Sequence, residues 1–140
     1  MKKLSFFFII TVMALSLVSC QDKNKKMLCK KWDCVKVENL DPPGKIFKSR
    51  EDSVAAINME AALKELNWNF NKDNKYQCSV GSKIMTSGTY ELTDEGKTLV
   101  CISSSKNTTN RYTVTVLTDD EMVLSNNINN VSLIMHFKPH

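Results

Sequence analysis

The chain has 140 residues, of which 42% are hydrophobic and 24% are charged, and its formal net charge at pH 7 is +4. A chain of this length forms about one domain with a core of its own. The positive charge lies near the N-terminus, since residues 32–140 carry 12 Lys and Arg side chains against 14 Asp and Glu. A domain without a basic patch argues against nucleic acid as a partner.

The N-terminus has the pattern of a bacterial lipoprotein signal. Two lysines precede an apolar run over residues 4–18, and the small Ser19 then precedes Cys20. The run is too short for a membrane-spanning helix, which needs about 20 apolar residues, and it fits a cleaved signal peptide. We expect the signal to be residues 1–19 and the Cys20 thiol to carry a diacylglycerol. The alternative is an ordinary secretory signal that happens to end in cysteine.

The lipid would anchor the protein to a membrane. Several acyl chains on one residue hold a protein stably in a bilayer. By analogy with the sorting of other envelope lipoproteins, Gln21 favours the bacterial outer membrane, on either its periplasmic or its surface face. Residues 20–27 are polar and lysine-rich, and we expect them to form a lipidated, flexible tether.

Residues 28–140 form the predicted domain. Short β-rich runs alternate there with Asn, Asp, Gly and Ser clusters roughly every dozen residues, the spacing of a β-sandwich or barrel. The predicted strands are Lys30–Glu38, Trp68–Phe70, Lys75–Val80, Ile84–Leu92, Thr98–Ser103, Arg111–Leu117, Met122–Asn126 and Val131–Lys138.

One segment between the first two strands has helical periodicity. Ser49 and Asp52 resemble the N-cap and N3 positions of a capping box, and Asn67 suits the end of a helix. Apolar residues recur at helical spacing in between. They are Ala55, Met59, Ala62, Leu63 and Leu66. The apolar stripe of such a helix must pack on something, and one end of a barrel is the natural place.

The strands alternate between an apolar and a polar face, as in an antiparallel sheet with one buried side. Eight such strands can close and leave no exposed edge. We predict an all-β fold, an eight-stranded antiparallel up-and-down barrel with one helix between strands 1 and 2. The predicted inner-face residues are Trp32, Cys34, Trp68, Phe70, Tyr76, Cys78, Val80, Ile84, Thr86, Gly88, Tyr90, Leu92, Leu99, Cys101, Tyr112, Val114, Val116, Met122, Leu124, Val131, Leu133, Met135 and Phe137.

Several motifs, in order, resemble the lipocalin-like domains of envelope lipoproteins from Bacteroidetes-type bacteria. They are Leu28-x-x-x-Trp32 and the runs Phe70–Tyr76, Ser87–Leu92, Lys97–Leu99, Arg111–Val114 and Leu117–Leu124. The resemblance covers residues 28–138 and implies a calycin-like barrel that holds a small apolar ligand. Lipocalins usually have glycine where Lys30 stands, and Lys138 is the nearest candidate for the late arginine that often stacks on the tryptophan. The helix after strand 1 is closer to the lid of fatty-acid-binding proteins.

Four cysteines lie in the domain besides Cys20. Cys29 and Cys34 would be about 16 Å apart on an extended strand at about 3.3 Å per residue, whereas a disulfide needs Cα atoms within roughly 7 Å. Their odd spacing also places Cys29 on the outer face, near the tether. Cys34, Cys78 and Cys101 share the inner face, and we expect free buried thiols. A bridge across the interior, or one from Cys29, is the alternative.

The sequence favours neither catalysis nor metal binding. His136 and His140 are four residues apart, but they fall on a strand and the tail, where they would not converge. Acidic clusters at residues 94–95 and 119–121 coincide with turns, where solvated carboxylates are expected. Nucleophile-elbow, zinc-protease and phosphate-loop motifs are absent from the sequence. We predict a protein that is not an enzyme and uses neither metal nor cofactor.

The inner face offers a candidate ligand site. Trp68, Tyr76, Tyr90, Tyr112 and Met135 would line an apolar pocket, or they would simply fill a small barrel. We expect a membrane-anchored, lipocalin-like lipoprotein that binds a small apolar ligand. The alternative is a protein-interaction or inhibitor module of the cell envelope with a filled barrel. The expected partners are the membrane, through the lipid anchor, and either a small apolar ligand or an envelope protein.

Overall fold

The structure, a computed structural model, describes residues 23–39, 58, 61–128 and 131–140. The signal peptide, Cys20, the capping-box residues Ser49 and Asp52, and the helix-stripe residues Ala55 and Met59 lie outside this part. Each strand pairs antiparallel with the next, and the eighth pairs with the first, so the sheet closes into a barrel. The predicted all-β, eight-stranded barrel is confirmed. The strands are β1 (Lys31–Glu38), β2 (Leu66–Phe70), β3 (Lys75–Val80), β4 (Lys83–Thr93), β5 (Thr98–Ser103), β6 (Thr109–Leu117), β7 (Met122–Ile128) and β8 (Val131–Pro139).

The predicted helix between β1 and β2 is confirmed at residue 58 and over residues 61–64. It ends before Leu66, which the helical pattern includes but which begins β2. Leu66, Trp68 and Phe70 are all buried at alternate positions, so the period-2 pattern of the strand prevails over the helical spacing. The Gly81 amide donates to the Glu65 carbonyl (3.0 Å) and fixes the end of the helix to the β3–β4 turn.

The barrel interior contains the core. The largest fully buried side chains are Trp32, Phe70, Phe137, Leu28, Leu99, Met122, Leu124 and Cys101. Of the predicted inner-face side chains that the structure describes, all are buried or half-buried except Ile84, which is 56% exposed. The alternation of the strands therefore predicts the core correctly at nearly every position.

β-Bulges explain where the alternation fails. Thr86 pairs with Cys78 but Ile84 pairs with Ser79, so Met85 is an extra residue in β4 and Ile84 lies outside the core. A second bulge, in β1 between Cys34 and Lys36, turns Val37 rather than Lys36 toward the core. Each bulge adds one residue to a strand and reverses the faces beyond it.

The segment before β1 differs from the expected tether. Residues 23–28 are helical, and Leu28 is fully buried at the end of this N-terminal helix. The Cys29 amide donates to the Lys25 carbonyl (3.0 Å), which closes the last turn. The apolar Leu28 holds the segment against the core, and this contact gives an otherwise polar stretch a fixed conformation. None of the helices that the structure describes is long and apolar enough to cross a membrane.

Candidate ligand site in the barrel interior

The N-terminal segment covers one end of the barrel, here named the closed end. The Asn24 amide group donates to the Glu95 carbonyl in the β4–β5 turn (2.9 Å). The Phe70 amide, at the end of β2, donates to the Lys30 carbonyl (3.1 Å). The Lys30 ammonium donates to the Asp119 carbonyl in the β6–β7 turn (2.9 Å). Residues 23–30 thus connect three hairpins across this end, while the helix between β1 and β2 meets the β3–β4 turn at the opposite end.

Trp32 lies beneath Lys30 at the closed end. Its indole is fully buried, and Nε1 donates to the Leu28 carbonyl (3.0 Å). The Lys30 ammonium lies 5.2 Å from the centroid of the Trp32 ring, within cation–π range. The sequence points to Lys138 as the stacking cation, but Lys30 takes this position instead. The residue that replaces the usual glycine therefore supplies the cation.

Three of the predicted ligand-site residues come together in the interior. Trp68 stacks on Tyr76, with ring centroids 5.6 Å apart, and contacts Tyr112 edge-on at 5.4 Å. Phe70 stacks on the same indole at 5.4 Å. Trp68, Tyr76 and Tyr112 are named the aromatic cluster below. Rings at these distances pack favourably and restrict one another's orientation.

Tyr90 lies at the closed end and belongs to its structure. Its hydroxyl donates to the Asn71 carbonyl (2.8 Å), and the Cys29 thiol lies 3.1 Å away. Burial, together with the hydrogen bond to Cys29, raises the pKa of Tyr90 above its ordinary value. The prediction that Cys29 faces outward is wrong, because Cys29 precedes β1 and packs against the core. Phe70, edge-on to Tyr90 at 5.1 Å, separates Tyr90 from the cluster.

Met135 occupies another part of the wall. It is buried on β8, where it pairs with Leu124 on one side and Val37 on the other. The five predicted site residues therefore divide into the aromatic cluster, Tyr90 at the closed end and Met135 on β8.

The Trp68 indole carries a buried donor without a partner. No hydrogen-bond acceptor among the described residues contacts Nε1, although the atom is buried and the residue is only 4% exposed. An unsatisfied buried donor costs about 1–3 kcal/mol. Native structures keep few such groups, so each one needs an explanation.

A row of hydroxyl groups leads from the cluster toward the β5–β6 turn. It consists of Tyr76, Thr86, Ser103 and Ser105 and is named the hydroxyl row below. The Tyr76 hydroxyl lies 3.4 Å from Thr86 Oγ1, which donates to Ser103 Oγ at 3.1 Å. Ser103 Oγ lies 3.3 Å from Ser105 Oγ in the turn. Thr86 is one of the predicted inner-face residues, whereas Ser103 is not. Both residues are polar but stand at positions where the alternation of their strands points inward, and this is the sequence signal by which they can be found.

The four described cysteines are free. Cys29, Cys34, Cys78 and Cys101 form no disulfide in the described structure, which confirms the predicted free core thiols. Burial raises the pKa of Cys78 to about 12 and that of Cys34 and Cys101 above the ordinary value. Protonated thiols are poor nucleophiles and poor metal ligands. They act here as small core side chains.

Charged side chains lie on the outside. His136 Nε2 lies 3.0 Å from a Glu38 carboxylate oxygen on the outer face of β1 and β8, and His140 Nδ1 lies 2.6 Å from Asp33. No cluster of three or more metal-ligating side chains occurs among the residues that the structure describes. The arrangement of the interior suits non-covalent binding.

Comparisons with known proteins agree with this architecture. No protein-family model and no curated protein matches the sequence. Among solved structures, a lipocalin-like protein from Bacteroides uniformis is 14% identical with a TM-score of 0.51, over 81% of this chain and 99% of that one. The fold is therefore lipocalin-like.

Two further solved structures have the same relationship to this chain. An uncharacterized protein from Bacteroides eggerthii is 15% identical with a TM-score of 0.51, over 81% of this chain and 99% of that one. A DUF4847 family protein from Bacteroides vulgatus is 9% identical with a TM-score of 0.50, over 80% and 93%. At identities this low, the similarity shows the lipocalin-like fold alone, and the ligand must be inferred from the site.

Proposed function

We propose that this protein is a lipid-anchored, non-enzymatic lipoprotein of a bacterial outer membrane that binds a small apolar ligand in its lipocalin-like barrel. The observation that carries the proposal is the aromatic cluster, since stacked rings with a few polar groups are the usual lining of a small-molecule site. The closed end would exclude water from that side of the ligand. Entry would then take place at the opposite end, beside the helix between β1 and β2.

The anchor would orient the barrel. Cys20 precedes Lys23, the first described residue of the N-terminal helix, by three positions. An extended chain spans that separation in about 11 Å at most. A lipid on Cys20 would hold the closed end at the membrane surface and leave the opposite end facing away from it. A ligand would therefore enter from the aqueous side.

Native mass spectrometry of the full-length lipidated protein, extracted from its own membranes, tests the proposal. We expect a small non-covalent mass in addition to the covalent lipid, lost when the protein unfolds. Tyr112→Ala removes the ring that lies edge-on to Trp68 and should lower the bound fraction. Val35→Ala, on the outer face, is the control and should leave it unchanged. A wild-type protein without added mass, or equal occupancy in both variants, would contradict a ligand site at the cluster.

The second candidate is an interaction module of the cell envelope. Ile84, Met85 and Ile102 on β4 and β5 are large apolar side chains that are 56%, 53% and 44% exposed, and exposed apolar groups are common where proteins dock. A photo-crosslinking residue at position 85 would report such a partner. One discrete crosslinked protein, absent when the probe is placed at the exposed position 77 on β3, would support the module; identical crosslinks from both positions would argue against it.

A further inference from the structure

Aromatic neighbours hold the Trp68 ring in place. Phe70 and Tyr76 stack on the indole with interplanar angles of 23° and 21°, and Tyr112 packs edge-on. A ring held in this way cannot rotate toward solvent without breaking several aromatic contacts. The Trp68 N–H is therefore held in place, and it has no protein acceptor among the described residues, so it is available to a ligand that reaches it.

The surroundings of this donor are uncharged. Within the part of the chain that the structure describes, the only buried polar or charged side chains are those of Ser79 and Ser103. The phenols of Tyr76 and Tyr112 stay protonated, since burial raises the pKa of each above its ordinary value. A buried carboxylate or ammonium group on a ligand would lose its hydration and find no counter-ion among the buried side chains that the structure describes.

The hydroxyl row has hydrogen-bonding capacity to spare. The Tyr76–Thr86 and Ser103–Ser105 oxygen pairs are 3.4 and 3.3 Å apart, whereas hydroxyl hydrogen bonds are commonly about 2.7–2.8 Å long. Each hydroxyl group also has one donor and two acceptor sites. Ser103 Oγ also accepts from the Lys106 amide (3.4 Å), so its sites are in use. A second neutral polar group of the ligand could therefore bind at Tyr76 or Thr86, whose described contacts leave acceptor sites unused.

We infer that the barrel selects an uncharged, planar ligand whose oxygen or nitrogen acceptor takes the hydrogen bond of Trp68 Nε1. This inference rests on the proposed ligand-binding function and narrows it to a chemical class. Aryl ketones, esters, quinones and similar neutral ring compounds belong to that class. Fatty-acid anions and other carboxylates do not, because no cationic side chain is buried among the described residues.

Three naphthalene probes of similar size separate these possibilities. 2-Acetylnaphthalene has a neutral acceptor, 2-ethylnaphthalene has none, and 2-naphthoate is an anion. Their binding is measured by equilibrium dialysis against the lipidated full-length protein in phospholipid nanodiscs, with empty nanodiscs as the blank. We expect the acetyl probe to bind about tenfold more tightly than the ethyl probe, a difference of about 1.4 kcal/mol for one net hydrogen bond. The naphthoate should bind most weakly.

Trp68→Phe keeps an aromatic ring and removes the donor, so the acetyl and ethyl probes should then bind equally. Trp32→Phe is the matched control, because the Trp32 N–H already donates to the Leu28 carbonyl. This variant should retain the tenfold preference. The infrared carbonyl band of bound 2-acetylnaphthalene gives a reading that needs no variant: it should lie at lower frequency than the band of the probe in hexane, as a hydrogen-bonded ketone does.

Equal affinities of the acetyl and ethyl probes for the wild-type protein, or tightest binding by naphthoate, would overturn the inference and leave ligand binding standing. A preference that survives Trp68→Phe would overturn it in the same way. Failure of all three probes to bind the folded protein would instead count against the ligand-binding function itself.

Discussion

Trp32 on β1 and Trp68 on β2 are direct register partners in the barrel, and both indoles are buried. Their N–H groups nevertheless differ. Trp32 Nε1 donates to the Leu28 carbonyl of the N-terminal segment, whereas Trp68 Nε1 has no acceptor among the described residues. Two neighbouring tryptophans thus differ: one bonds to the segment at the closed end, and the other has a buried donor that no described residue uses.

This difference predicts unequal effects of the same substitution. Trp32→Phe and Trp68→Phe remove the same atoms from buried sites, but only the first breaks a hydrogen bond; the Leu28 carbonyl then keeps the Lys30 amide as its donor (2.8 Å). We expect Trp32→Phe to lower the free energy of unfolding by about 0.5–1.5 kcal/mol more than Trp68→Phe does, the net contribution of one hydrogen bond. Urea denaturation followed by far-UV circular dichroism measures both.

The control for this pair is Lys30→Met, which keeps both indoles and removes the cation above Trp32 together with its exposed hydrogen bond to the Asp119 carbonyl. It should reduce stability by about 1 kcal/mol or less, since partly exposed cation–π contacts are weak. A larger loss for Trp68→Phe than for Trp32→Phe would show that the donor of Trp68 has a protein partner.

Much of this fold follows from the sequence because a barrel repeats one simple rule. Alternate apolar residues such as Tyr76, Cys78 and Tyr90 must face the core, and turn residues mark where strands end. Bulges interrupt this alternation without a sequence signal, which is why the alternation wrongly predicts Ile84 on the inner face. The sequence does not predict the N-terminal helix either. A single buried side chain, Leu28, packs it against the core, and one apolar residue does not form a periodic pattern.

The site was harder to predict than the fold. The alternation of the strands alone predicts that Trp68, Tyr76 and Tyr112 face inward, and the structure brings their rings into contact. Parity cannot show how far along the barrel axis a residue lies. Tyr90 therefore entered the same predicted group, although it packs with Cys29 at the closed end. Likewise, the free N–H of Trp68 depends on three-dimensional neighbours that no local pattern contains.

Thiol titration tests both the lipid anchor and the free cysteines. The unfolded lipidated protein should expose four reactive thiols, because Cys20 would be blocked while Cys29, Cys34, Cys78 and Cys101 are free. In the folded protein, alkylation at about pH 8 should be slow at Cys78, since burial raises its pKa to about 12 and the thiolate is the reacting species. Five thiols after unfolding would exclude lipidation, and two or fewer would indicate a disulfide.

The carboxylate of Glu38 predicts a pH dependence of stability. Its hydrogen bond from the Lys36 ammonium (2.6 Å), followed by the attraction of Lys36, lowers the pKa of Glu38 below its ordinary value of 4.5. A carboxyl whose folded pKa is depressed stabilises the protein above its unfolded pKa and loses that contribution as the pH falls through the folded pKa. The wild-type protein should therefore lose more stability between about pH 6 and about pH 3 than Glu38→Gln does.

The partner variant Lys36→Met checks the cause of this dependence. It removes the same interaction from the other side, so it should reduce the acid-induced loss by a similar amount. The double variant should add little to either single change, as expected for two residues that act through one contact. Additive effects of the two substitutions on urea midpoints would show that Lys36 is not the cause.

Gly88 tests how closely β4 and β5 pack beside the hydroxyl row. It pairs with Tyr76 on β3 and Ser103 on β5, and an added Cβ would lie well inside van der Waals contact with the Ile102 carbonyl oxygen. Because that atom belongs to the backbone, Gly88→Ala must push the strands apart and should cost about 1–3 kcal/mol or more. Ser87→Ala, at the exposed neighbouring position, should stay within about 0.5 kcal/mol of the wild-type protein. Equal urea midpoints for the two variants would contradict close packing at Gly88. A loss of stability in Gly88→Ala alone would show that β4 and β5 cannot separate enough to admit one methyl group in this wall of the proposed ligand site.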